Sequence, residues 1–209
     1  MYYQEAIREA ARRASQAAAD AIAAYDDDTI SYERGITDSF AVLLRKALNN
    51  QIENLVFRSH VLKDTTGSGA EESQIGADLL IHVEFKTPEL SYSKGILVQA
   101  KRVEPGERMP KTKHEELVDQ CKKMLSISPA SWIFDYAHGG MRCGPAAAIA
   151  TSNNMMLHEQ CIWTPYRFFL ELFRCPIGDP SITSARVEEL PVRTKLITKI
   201  TTPSARESF

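Results

Sequence analysis

The sequence predicts an α/β fold, a mixed central sheet flanked by helices. Three observations predict it. Helical periodicity runs through residues 4–50, two alternating strands follow at 77–85 and 95–102, and a helix and further strands come after them. The 209 residues suit one domain with or without an appendage, and 44% hydrophobic content supplies a core without staples.

The elements are read in chain order. Residues 4–25 form an Ala-rich helix, and Ala has the best helix propensity. Ile7, Ala11, Ala14, Ala18 and Ile22 make a thin apolar stripe whose small residues permit close packing, including against a second copy. Asp26, Asp27 and Asp28 end it and can cap the next element. A second helix covers 31–50, with Ile36, Phe40, Leu43, Leu44, Ala47 and Leu48 inward. Val56 and Phe57 suggest a short strand, and 65–69 a loop.

In the strand at 77–85, Leu79, Ile81, Val83 and Phe85 share one face, and Asp78, Leu80, His82 and Glu84 the other. Residues 86–94, with Pro88, read as a turn or loop. In the strand at 95–102, Leu97, Gln99 and Lys101 share one face. Residues 103–113 read as a mobile loop, and 114–127 as a helix with Leu117, Cys121, Met124 and Leu125 inward. Strands follow at 131–136 and, after the Gly139-Gly140 turn, across 145–151. A short amphipathic helix covers 164–173 and a strand 192–200. The domains divide as 1–28, an N-terminal helix; 29–152, the core; and 153–209, an extension suited to an oligomer or partner surface.

Composition narrows the function. No apolar run reaches the roughly 20 residues of a membrane span, and no secretory leader opens the chain. The four cysteines make no CxxC and no disulfide framework, which points to the reducing cytoplasm. With a net charge of −2, contact with nucleic acid must come from local basic patches.

Asp78 stands on an otherwise apolar strand, and Gln99 and Lys101 stand on the next. Adjacent strands can bring all three to one sheet face. Hard oxygens hold Mg²⁺, and a lysine beside them can orient a water and offset phosphoryl charge. A lone Asp after Gly76 is ordinarily a turn residue, and an isolated Gln-x-Lys is ordinarily an exposed strand face. Their joint placement carries the reading.

Asp78 followed by Gln99-Ala100-Lys101 resembles the motif of the PD-(D/E)XK, or restriction-endonuclease-like, nucleases, in the Gln-x-Lys form of Mrr-like enzymes and bacterial anti-phage nuclease effectors. The resemblance spans residues 30–150 and departs at Ala77, in place of proline, and at Gln99, in place of an acid. It implies that Glu33, in the helix before the first catalytic strand, joins Asp78 and Gln99 in the metal site, and that Gln120 contributes from the following helix.

The function it implies is a Mg²⁺-dependent endonuclease, with Mn²⁺ able to substitute. Its substrate is double-stranded DNA read with little sequence preference, and its setting a regulated anti-phage assembly or homo-oligomer. Arg102, Arg108, Lys111 and Lys113 are expected on the phosphate backbone. Two alternatives stay open: a nuclease-like module without catalysis, which Gln99 keeps alive, and an RNase. His138, Cys143, His158 and Cys161 have no common zinc spacing. His82 is expected as a partly buried, hydrogen-bonded histidine, and Trp132 and Trp163 in the core or an interface.

Overall fold

The structure, a computed structural model, describes residues 3–26, 33–63 and 74–203; the side chains of residues 25, 26 and 33 lie outside that description. The loop at 65–69 and the caps Asp27 and Asp28 also lie outside it.

The chain is α/β. Helices α1 (Gln4–Asp26) and α2 (Glu33–Leu48) lead into β1 (Gln51–Ile52), β2 (Leu55–Lys63), β3 (Leu79–Lys86) and β4 (Ser91–Lys101). Helix α3 (Lys111–Ile127) crosses to β5 (Ser131–Ala137), which turns at Gly139 into β6 (Gly140–Pro145). Helices α4 (Ala146–Ala150), α5 (Leu157–Gln160), α6 (Pro165–Arg174) and α7 (Ser184–Glu189) precede β7 (Thr194–Thr201).

One seven-stranded mixed sheet runs in the order β1-β2-β7-β3-β4-β5-β6. Strands β3 and β4 pair antiparallel, with Leu79 opposite Val98. Strand β5 is parallel to β4, with Lys101 beside Asp135, and α3 makes the crossover.

Alternation sorts the core into two layers. Leu79, Ile81, Val83, Phe85, Ile96, Val98 and Ala100 pack with α1, α2 and α6 on one face. Leu80, Leu97 and Ile133 pack with α3, α4, α5 and α7 on the other. Turn Thr87–Leu90 is shorter than the predicted loop, because β4 begins at Ser91.

Three segments differ from expectation. The stretch after Pro145 is a helix, not a strand, as its four alanines favour. The segment 153–209 is not an appendage in its described part. Strand β7 lies between β2 and β3, and Phe168, Phe169, Leu172 and Phe173 of α6 are core. The alanine stripe of α1 is covered within the chain: Ala6, Ala10, Ala11, Ala14, Ala17, Ala18 and Ala21 are buried, chiefly against α2 and α6. No described helix is long and apolar enough to cross a membrane.

Candidate active site

The site lies at the end of the sheet where β3 begins and β4 ends. Extending the β3–β4 register one step places Asp78 opposite Gln99. The Asp78 N–H donates to the Val98 carbonyl at 2.9 Å, which keeps the two chains paired there. Gln99 is 2% exposed. Its Nε2 donates to Asp78 Oδ2 and, at 2.9 Å, to the Ala100 carbonyl. The Ala100 N–H donates to the same Oδ2 at 3.0 Å. Both partners of Nε2 are acceptors, which fixes the orientation of the amide: its nitrogen, not its oxygen, faces the carboxylate.

Lys101 follows Gln99 by two residues and shares its face. It is half-buried. Its charge reaches Cys121 on α3, where it opposes the burial that raises that thiol to about 12. Asp78, Gln99 and Lys101 therefore lie on the α3 side of the sheet.

Gln120 belongs to the α3 stripe that includes Leu117, Cys121 and Met124. Its Oε1 is buried and has no hydrogen-bond partner among the described residues. Gly76, two residues before Asp78, lies against the Gln120 backbone. A Cβ there would stand 2.7 Å from the Gln120 carbonyl oxygen, and φ is +76°. Only glycine suits that approach and that backbone, so the chain entering Asp78 runs hard against α3 at Gln120.

Glu33 opens α2, and its side chain lies outside the described residues. The turn that follows it reaches the site: Arg34, Thr37 and Asp38 border a small crevice with Asp78, Arg193 and Thr194. Asp38 accepts from Thr194 Oγ1 at 2.9 Å and pairs with Lys63 at 3.0 Å.

Of the expected backbone contacts, Arg102 and Lys113 line a crevice of about 320 Å³ together with the catalytic candidate Lys101 and with Glu107 and Glu116. Arg108 and Lys111 are exposed nearby. Lys113 pairs with Glu116 at 2.8 Å, and Lys111 with Glu115 at 3.8 Å. The segment expected as a mobile loop is tied down. Val103 N–H donates to Asp135 Oδ1 at 2.8 Å, Gly106 N–H to Glu159 Oε1 at 3.0 Å, and Met109 N–H to the Met155 carbonyl at 2.9 Å.

Asp135 is a feature missed in the sequence. It is fully buried beside Lys101, and its Oδ2 meets His158 Nδ1 at 3.0 Å. Burial raises its carboxyl pKa, while the Val103 N–H and His158 pull it down. The available signal was a lone acid inside the apolar run Ser131-Trp132-Ile133-Phe134-Asp135-Tyr136.

Other expected residues fall away from the centre. His82 is fully buried; its Nε2 meets Ser93 Oγ at 3.0 Å, and Nδ1 has no partner among the described residues. Burial lowers its pKa. Cys143 and Cys161 are buried thiols with raised pKa. Trp132 and Trp163 stack edge-on at 5.0 Å.

The donor set can be tested against a hard divalent cation. The Asp78 carboxylate and the orphaned Gln120 carbonyl oxygen match its preference for oxygen, and Mg²⁺ keeps most of its waters and needs few protein ligands. Gln99 fits only after its amide turns over, giving up its bonds to Asp78 and Ala100. Comparison with known proteins returns no match among family models, curated proteins or solved structures.

Proposed function

We propose that the chain is a metal-dependent nuclease of the restriction-endonuclease-like kind, cutting DNA with little base readout, as one part of a regulated anti-phage assembly. The observation that carries this is the pairing of Asp78 with Gln99 on adjacent strands, with Lys101 on the same face. Thr37, from the helix before these strands, borders the crevice of Asp78, and the Gln120 backbone, from the helix after them, lies against Gly76, two residues from Asp78.

In this reading Asp78, Gln99 with its amide reversed, and Glu33 hold Mg²⁺ or Mn²⁺, with Gln120 beside them. Such a cation, when bound, would supply charge neutralisation at the phosphate and a more acidic water. Lys101 is placed to orient a water and to offset charge on the phosphoryl oxygens. Arg102 and Lys113, in the adjoining crevice, take the neighbouring backbone phosphates.

The orientation of the Gln99 amide favours a second reading, a nucleic-acid-binding module without cleavage, because the nitrogen facing Asp78 is not a metal ligand. One experiment separates the two. Plasmid DNA, linear duplex and RNA are incubated with the protein in Mg²⁺, in Mn²⁺ and in excess chelator. The nuclease reading expects cleavage lost on chelation. It expects Lys101→Ala to cut on the order of 10²–10³ more slowly while folding and binding normally. Cleavage undiminished by chelator, or equal in a well-folded Lys101→Ala, refutes the site. Binding with no cleavage in any metal, with the activating partner of the assembly supplied, selects the second reading.

A further inference from the structure

Strand β4 carries a buried lysine far from the Asp78 end of the strand. Lys94 is 2% exposed. Lysine is almost never so buried unless it is paired, yet its partners among the described residues include no carboxylate. They come instead from Tyr92 on the same strand and from the segment after α6. The Lys94 amine donates to the Ile177 carbonyl at 2.6 Å and lies 4.8 Å from the centre of the Tyr92 ring. It also makes a side-chain hydrogen bond with Cys175.

The chain is shaped to hold the amine there. A Cβ on Gly178 would stand 2.6 Å from Lys94 Cδ, and φ is +115°. Glycine suits both, and lets the segment close over the lysine stem. The Tyr92 hydroxyl donates to the Phe173 carbonyl at 2.6 Å and fastens the end of α6 to β4. Burial lowers the amine to about 8, with Cys175 opposing the shift, so part of it is unprotonated near neutral pH.

Cys175 supplies the other half. It ends α6 at φ +84°, in the left-handed region where glycine is usual. It is exposed, whereas Cys121, Cys143 and Cys161 are buried. Burial also holds those three thiols up, away from the reactive thiolate. An oxidant arriving from solution therefore meets Cys175 first. An accessible thiol with a buried amine aimed at it is a pair of nucleophiles, one placed to trap what the other becomes.

We infer that Lys94 and Cys175 form an oxidative modification site, in which a hydroperoxide oxidises Cys175 and the Lys94 amine captures the product as an S–N sulfenamide crosslink. In the first step the Cys175 sulfur attacks hydrogen peroxide. An S–O bond forms, the O–O bond breaks, sulfur is oxidised to the sulfenic acid, and the peroxide is reduced to water. In the second step the unprotonated Lys94 nitrogen attacks that sulfur. The S–N bond forms, the S–O bond breaks, and hydroxide leaves with the proton shed by nitrogen as a second water. Sulfenic acids condense with backbone nitrogen in the same way. A thiol reverses the bond: it attacks sulfur, the amine returns to Lys94, and a further thiol releases Cys175 as the disulfide of the reductant. The inference does not rest on the nuclease reading.

The test treats the full chain with hydrogen peroxide, removes the oxidant, and maps tryptic peptides without reductant. The expected product joins the peptides 87–101 and 175–186, uncut at Lys94 and lighter than their sum by two hydrogens. Dithiothreitol should separate them. Cys175→Ser, an exposed change, should abolish the product. Lys94→Arg should leave Cys175 as a sulfenic acid that dimedone labels; if that variant does not fold, Cys175→Ser and a urea-unfolded control carry the test. Unfolding should remove the crosslink, because the fold holds the pair together.

Oxidation of Cys175 to sulfenic or sulfinic acid with no crosslink in the folded wild type overturns the inference, as does a Cys175 that stays reduced while buried thiols oxidise. A joined pair that carries an extra oxygen overturns the S–N bond. Equal crosslinking in the unfolded chain, or a crosslink from Cys175 to another lysine, overturns the pairing with Lys94.

Discussion

Asp78 and Gln99 hold each other by an amide–carboxylate bond, and that bond sets what each can do next. In this state the neutral donor, itself buried, pairs with the partly exposed Asp78 carboxylate. Gln99→Glu would set two carboxylates side by side, where like charges raise the pKa of one of the pair. Without a cation the variant should lose roughly 1–3 kcal/mol through the lost donor and the repulsion. With Mg²⁺ it should recover more than the wild type gains. Thermal melts with and without Mg²⁺ measure both effects, and an equal Mg²⁺ response in the two proteins removes Gln99 from the cation site.

Asp135 makes a different prediction, through pH. Burial raises its carboxyl to about 6, so the folded chain holds that proton more tightly than the unfolded chain does. The stability this contributes is complete below the ordinary carboxylate value, about 4, and is lost as pH rises through about 6. Relative to Asp135→Asn, the wild type should therefore lose stability over that window and run parallel above it. Urea unfolding at stepped pH checks this; parallel curves throughout contradict it.

The Asp78–Gln99–Lys101 group was legible in the sequence because strand alternation and an antiparallel pair determine who shares a face. The Asp135–His158 pair was not, because nothing local says that a four-residue helix at 157–160 will close over β5.

At the scale of elements, periodicity found the four longer helices and most strands, and it failed where a pattern carries no address. Strand β7 is visible as an alternating run, yet its place between β2 and β3 depends on contacts with residues more than a hundred positions away. The 145–151 segment was misread because a short apolar run suits a strand or a helix alike.

Because β7 pairs on both edges, with Leu196 and Ile200 in the core and Thr198 Oγ1 2.9 Å from Ser59 Oγ, it is structural to the whole sheet. Thr198→Pro removes a ladder donor from a central strand and should abolish the cooperative melt, a loss of at least about 3 kcal/mol. Thr198→Val keeps the ladder and loses only the hydroxyl pair, so it should remain folded with a loss of roughly 1 kcal/mol. Circular dichroism melts distinguish the two. A proline variant that melts like the wild type would make the last segment separable after all.

At the scale of the whole molecule, the proposed binding of a polyanion by a chain of net charge −2 requires asymmetry of charge, not total charge. Lys101, Arg102, Arg108, Lys111 and Lys113 gather around the start of α3, where the uncapped helix dipole adds to them. Glu107, Glu115 and Glu116 stand among them and limit the local field. That balance predicts a small footprint. If three to five of these cations meet phosphates, the logarithm of duplex affinity should fall against the logarithm of salt with a slope of about −2.7 to −4.5. Arg108→Ala and Lys111→Ala should each make the slope shallower by about 1 and weaken all duplex sequences alike, since backbone contacts carry no base information. Anisotropy across a salt series with two unrelated duplexes measures this. A slope near zero would place the binding surface elsewhere, and a sequence-dependent loss would mean that these residues read bases. A steeper slope, unchanged by either substitution, would assign the phosphate contacts to basic residues away from α3.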